Sequence, residues 1–115
     1  MSTRASIHFQ GNDGKTNAII YRHHDGYPKG LGKDLKIFLQ EVKRQCKDTR
    51  FDDPSYLAAK FIVWQSVKYA EDSISKPLNF LGIGICIKDP GDIEYKYLIK
   101  CKNNKLPVIK CARLT

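Results

Sequence analysis

The sequence holds no apolar run near the ~20 residues that a membrane-spanning helix needs. Its longest runs are of the size of Phe61–Trp64. No apolar stretch stands behind the charge of the opening Met1-Ser2-Thr3-Arg4, so no secretory signal is expected and a cytoplasmic location is. No internal repeat or low-complexity segment is present, which leaves one domain, residues 1–115. Cysteine is sparse: Cys46, Cys86, Cys101 and Cys111 include no C-x-x-C pair, which argues against a zinc ribbon or a thioredoxin-like site. Without an export signal a disulfide framework is not expected, and the three later cysteines read as small hydrophobes within strands. Negative charge is also short. Twelve acidic residues stand against twenty basic ones, a net charge of +8, which predicts attraction to polyanions.

The apolar residues that are present fall into two periods. Ala5, Ile7 and Phe9 alternate, and Asp13-Gly14 signals a tight turn before a returning strand over residues 17–23. Leu35, Phe38, Leu39, Val42 and Cys46 recur at helical spacing and predict a helix over Lys33–Cys46 with one apolar stripe. Asp53-Pro54 reads as N-cap and first residue of a second helix, running to about Tyr69 and ended by the segment to Pro77. Its apolar residues, Tyr56 to Val67, cover more than one face. It should be buried on two sides or cover a partner, and a homodimer is one expected partner.

Three strands are expected last, over about residues 81–87, 93–102 and 107–113, joined by turns at Asp89–Asp92 and Asn103–Lys105. The order ββααβββ predicts an α+β domain: a mainly antiparallel sheet with two helices packed on one face. The first hairpin and a three-stranded C-terminal meander are expected to share that sheet.

Chemistry-bearing residues concentrate in the loop from Tyr21 to Asp34. Gly30 and Gly32 precede the helix where no Ser, Thr, Asn or Asp stands as a cap. Open N–H groups at a helix start, with Arg22, Lys29 and Lys33 nearby, form an anion-binding arrangement. The competing reading makes one glycine the N-cap and the loop a plain turn. The spacing matches neither G-x-x-x-x-G-K-[ST] nor G-x-G-x-x-G. His23 could act as acid/base with Asp25 as its orienting partner. Adjacent His23 and His24 on an extended chain should point to opposite sides and not share a metal, so no metal site and no cofactor is expected. His8 is a further imidazole if the hairpin brings it close. In the C-terminal ribbon, Tyr95 and Tyr97 lie opposite Lys96 and Lys100, a pattern that fits base stacking or a core face.

Ser2-Thr3-Arg4-Ala5-Ser6-Ile7, followed by Tyr21-Arg22-His23-His24-Asp25-Gly26-Tyr27-Pro28-Lys29-Gly30-Leu31-Gly32, resembles a group of small uncharacterised prokaryotic and phage proteins. They carry S-T-R-A-x-I and Y-R-H-x-D-G-Y-P-x-G-x-G, and the resemblance spans about the first 40 residues. Their position equivalent to His24 is commonly another residue type, which moves weight to His23, Asp25 and the glycines. The resemblance implies a phage or mobile-element origin. The expected function is a non-enzymatic binding protein for an anionic partner: nucleic acid, a phosphate ligand or an acidic host-protein surface. The alternatives are an enzyme on a phosphate-containing substrate and a purely structural dimerising module.

Overall fold

A computed structural model describes residues 2–46, 51–71, 82–102 and 105–114. The first hairpin is β1 (Ala5–Gln10) and β2 (Thr16–Arg22). Its turn follows from local chemistry. Gly14 adopts φ of +81°, open to glycine at no steric cost, and Asp13 Oδ1 accepts the Lys15 N–H at 2.9 Å. Next come α1 (Lys33–Gln45), α2 (Pro54–Glu71), β3 (Ile83–Cys86), β4 (Tyr95–Lys102) and β5 (Lys105–Arg113). The expected stop at Pro77 and the Asn103-Asn104 part of the last turn lie outside the described residues. Among the described residues no helix is long and apolar enough to cross a membrane.

The five strands form one sheet in the order β3-β2-β1-β4-β5. The β1–β2, β2–β3 and β4–β5 pairings are antiparallel, and β1–β4 is parallel. The α+β class therefore holds, but the three-stranded meander does not. Only β4 and β5 form its hairpin; β3 lies at the opposite edge, beyond β2. Burial explains the order. β1 is buried along nearly its whole length and takes the centre. Short β3 has Gly84, and its Ile85 is 78% exposed, as suits an edge strand.

Register aligns Ala5, Ile7 and Phe9 with Arg22, Ile20 and Ala18 on one side and with Tyr95, Tyr97 and Ile99 on the other. This face meets Leu35, Phe38, Leu39 and Val42 of α1 and Leu57, Ala58 and Phe61 of α2 in one core. The α1 stripe is buried as its period requires. Asp53 accepts the Tyr56 N–H at 3.4 Å ahead of Pro54, in keeping with its capping role. α2 buries one face only: Tyr56, Val63 and Val67 stay exposed, so it is not covered on two sides. Tyr97 is core and is not an exposed stacking platform, while Tyr95 packs against that core half-buried. Cys101 is buried, and burial pushes its thiol up to about 11. Cys86 is half-buried and Cys111 is exposed at the edge strand, which corrects the expectation of a buried hydrophobe there.

The other face carries Ser6 and His8, both buried. The β3–β4 connection covers them. Asp89 binds His8 and Lys96, Asp92 pairs with Arg4, and the Glu94 N–H donates to the Arg4 carbonyl. Burial lowers the His8 pKa below its usual 6.5, with the Asp89 carboxylate opposing the shift. Protonation of the ring is therefore less favourable in the folded protein than in the unfolded chain. The unfolded chain takes up a proton at higher pH, so His8 stabilises the fold above about pH 6.5 and that stability is lost as pH falls through the folded value. Burial raises the Asp89 carboxyl, but hydrogen bonds from Lys96 and His8 outweigh it and hold it below its usual range. Its contribution disappears only in stronger acid. The urea midpoint is expected to fall between pH 7 and pH 5, and to fall less in His8→Gln. An equal fall in both proteins would remove His8 as the cause.

Candidate functional site

The loop between β2 and α1 is built by tight packing. Asp25 takes φ of +55°, a left-handed conformation that Asp tolerates, and its carbonyl accepts the Leu31 N–H at 2.8 Å. Gly26 presses against the start of β1, with its N–H on the Thr3 carbonyl at 2.9 Å. Its own carbonyl accepts the Tyr97 hydroxyl at 2.7 Å. Burial pushes the Tyr97 phenol well above its ordinary range, so it remains a donor.

The helix begins earlier than the sequence predicts. Pro28–Gly32 form a wide π-helical turn that runs directly into α1, with Pro28 at its first position, where a missing N–H costs nothing. Gly32 stands at the N-cap position of α1 with helical dihedrals and no side-chain cap, inside a continuous helical run. It is buried and faces the Tyr97 ring. The Gly30 N–H donates to the Tyr27 carbonyl at 2.9 Å. A Cβ at Gly30 would stand 2.5 Å from the Asp25 carbonyl oxygen. These glycines let the chain approach itself. The Gly30 and Leu31 amides are already spent on backbone carbonyls, so the anion-binding capacity of the loop resides in its side chains.

Those side chains do converge. Arg22, Asp25, Lys29, Gly30, Lys33, Asp34, Gln65 and Lys68 line a polar pocket of about 400 Å³, with Ile37 at one side. Of the expected anion-binding set, Arg22, Lys29, Gly30 and Lys33 are brought together, and Gly32 is not. Arg22 is the buried floor. Its Nε donates to the His24 carbonyl at 2.9 Å, and its Nη1 lies 2.9 Å from Asp34 and 3.4 Å from the Gln65 amide oxygen. Lys68 binds the other Asp34 oxygen at 3.0 Å. Asp34 therefore serves two cations. Lys29 and Lys33 are exposed, and among the described residues neither has an ion-pair partner.

Gln65 and Lys68 are pocket residues that the loop does not reveal. Gln65 leaves a trace as a polar residue within the apolar stretch Phe61–Val67. Nothing in the spacing links Asp34 to Lys68, 34 positions apart.

The His23 and Asp25 side chains each take a different hydrogen-bond partner. The Tyr21 hydroxyl meets His23 Nδ1 at 2.7 Å, Asp25 accepts from Tyr27, and His23 is not among the pocket residues. The two adjacent imidazoles do not diverge. The chain bends at His24, and the His23 and His24 rings lie edge to face with centroids 4.6 Å apart. His8 stays on the far sheet face with Asp89. Among the described residues no group of three or more His, Cys, Asp or Glu is placed to hold a metal. The pocket thus sets four cations, Arg22, Lys29, Lys33 and Lys68, against two carboxylates, Asp25 and Asp34. Comparison with protein-family models, curated proteins and solved structures finds no match to this chain.

Proposed function

We propose that the protein is a small, basic, non-enzymatic binding protein that seats a phosphate group of its partner between Lys29, Lys33, Lys68 and Arg22. The observation that carries this reading is the convergence of those four cations on one pocket, two of them without a carboxylate partner among the described residues. A phosphate at that point would gain charge-assisted hydrogen bonds from Lys29 and Lys33 while Arg22 and Lys68 supply fixed field. Nucleic acid, a phosphorylated small molecule and a phosphorylated host-protein surface present the same group. The positive charge of the whole chain favours the encounter with each. The loop resemblance fits a protein of phage or mobile-element type.

The test is a salt-resolved titration with inorganic phosphate and with short single- and double-stranded nucleic acids. Binding should weaken steadily as salt rises, in the manner of counterion release for the polyanions. Lys29→Ala/Lys33→Ala should lose about tenfold or more in affinity, because two charge-assisted contacts disappear. Both side chains are exposed, so the fold should be retained. Unchanged affinity in the double variant, or no binding at low salt, overturns the reading.

A further inference from the structure

A second cavity lies next to the cationic pocket along the same pair of helices. α1 and α2 run antiparallel where they meet: Lys68 bonds Asp34, and one turn further along α1 the Phe38 ring lies 5.8 Å from Trp64. Beyond Lys68 the seam between the helices opens into a second cavity of about 460 Å³. Phe38, Val42 and Trp64 line it together with Val63 and Val67, which are 63% and 52% exposed. Helical geometry makes the two cavities neighbours. Asp34, Phe38, Val42 and Gln45 follow one another along a single α1 row, spanning about 16 Å. Lys68 stands at the joint, with its ammonium 3.0 Å from Asp34 and 5.0 Å from the Trp64 ring centroid. One seam thus has a cationic end and an apolar end.

We propose that this seam binds a small amphiphile with a phosphate head and a single hydrocarbon chain, the head among Lys29, Lys33 and Lys68 and the chain along Trp64, Val63 and Val67. The proposal rests on the phosphate reading of the pocket and names the ligand class. Charge complementarity selects the anionic head, and the unpartnered apolar surface beside it selects the chain. Each cavity is of small-molecule size, within the roughly 300–1,000 Å³ of typical ligand sites. Exposed valines beside a half-buried indole cost free energy in water and regain it when a chain covers them.

Trp64 is the sole tryptophan, so the groove reports its own occupancy. The experiment titrates the full chain with inorganic phosphate and with butyl, hexyl, octyl and decyl phosphate, each kept below its micelle concentration. It follows Trp64 emission and, separately, heat. Octanol serves as the headless control. Affinity is expected to rise roughly threefold per added methylene until the chain fills the groove, with a blue shift of Trp64 emission. Val63→Gln should flatten that rise and leave inorganic phosphate binding intact. Equal affinity across the series, with phosphate still bound, overturns the amphiphile and leaves the phosphate pocket standing. Binding of neither phosphate nor alkyl phosphates overturns both. Octanol binding as tightly as octyl phosphate overturns the placement of the head. Self-association that buries Trp64 without ligand, seen by light scattering at the same concentrations, assigns the groove to a second copy and overturns the proposal.

Discussion

Arg22→Met is expected to destabilise the protein by about 3–5 kcal/mol, the usual consequence of leaving a buried charge without its partner. Arg22 is 5% exposed and Asp34 sits beside it with a side chain only 15% exposed. Removing the guanidinium strips Asp34 of its buried partner and the His24 carbonyl of its donor. It also leaves the Gln65 amide oxygen without the donor that Arg22 supplies. Lys68 remains on Asp34, but its side chain is 43% exposed and its contact is screened by water. Lys68→Met should therefore cost no more than about 1 kcal/mol. Adding Asp34→Leu to Arg22→Met should recover part of the loss, since an apolar replacement of a buried pair is far milder than half a pair. Urea unfolding of these variants measures the ordering. Equal midpoints for Arg22→Met and Lys68→Met would show that the Arg22 pair has no special weight.

Gly26→Ala is the second substitution with a large expected effect, about 3 kcal/mol, typical of overpacking into a site that cannot yield. An added Cβ would stand 2.7 Å from the Ala5 Cβ and 2.8 Å from the Thr3 carbonyl oxygen. The peptide cannot retreat. Its N–H is held by Thr3 and its carbonyl by the buried Tyr97 hydroxyl. The same substitution at Gly91, where nothing lies within 4 Å of the added atom, should stay within about 0.5 kcal/mol. Thermal or urea unfolding of the two variants decides it. Similar stabilities would mean that β1 shifts to accommodate the methyl group.

Patterns confined to one element were readable. Ala5, Ile7 and Phe9 declare a strand face, Asp13-Gly14 a turn, and Leu35, Phe38 and Val42 a helix stripe, because each is written in a local period. Strand neighbours were not readable. β3 lies beside β2 and not β4 because exposure of Ile85 and burial of β1 are decided by the whole sheet. In the candidate site, the basic side chains of the loop were legible as a cluster. The contact of Asp34 with Lys68 was not, since it exists only once the two helices are laid side by side. Gly30 and Gly32 suggest an open helix start for an anion, whereas Gly30 lies against the Asp25 carbonyl and Gly32 against the Tyr97 ring, a distinction that composition cannot express.

The parallel pairing of β1 with β4 has a consequence in time. Ala5 lies opposite Tyr95, and Phe9 opposite Ile99, so the two central strands come from distant parts of the sequence. Contacts of such high sequence separation carry a large loop-closure cost before they repay it, and they slow folding relative to local hairpins and helices. The first hairpin can form early, but one flank of its most apolar strand must wait for β4. During synthesis that flank remains an unpaired edge until β4 has left the ribosome. The nascent protein is thus most exposed to aggregation in the interval after β1 is made and before β4 emerges.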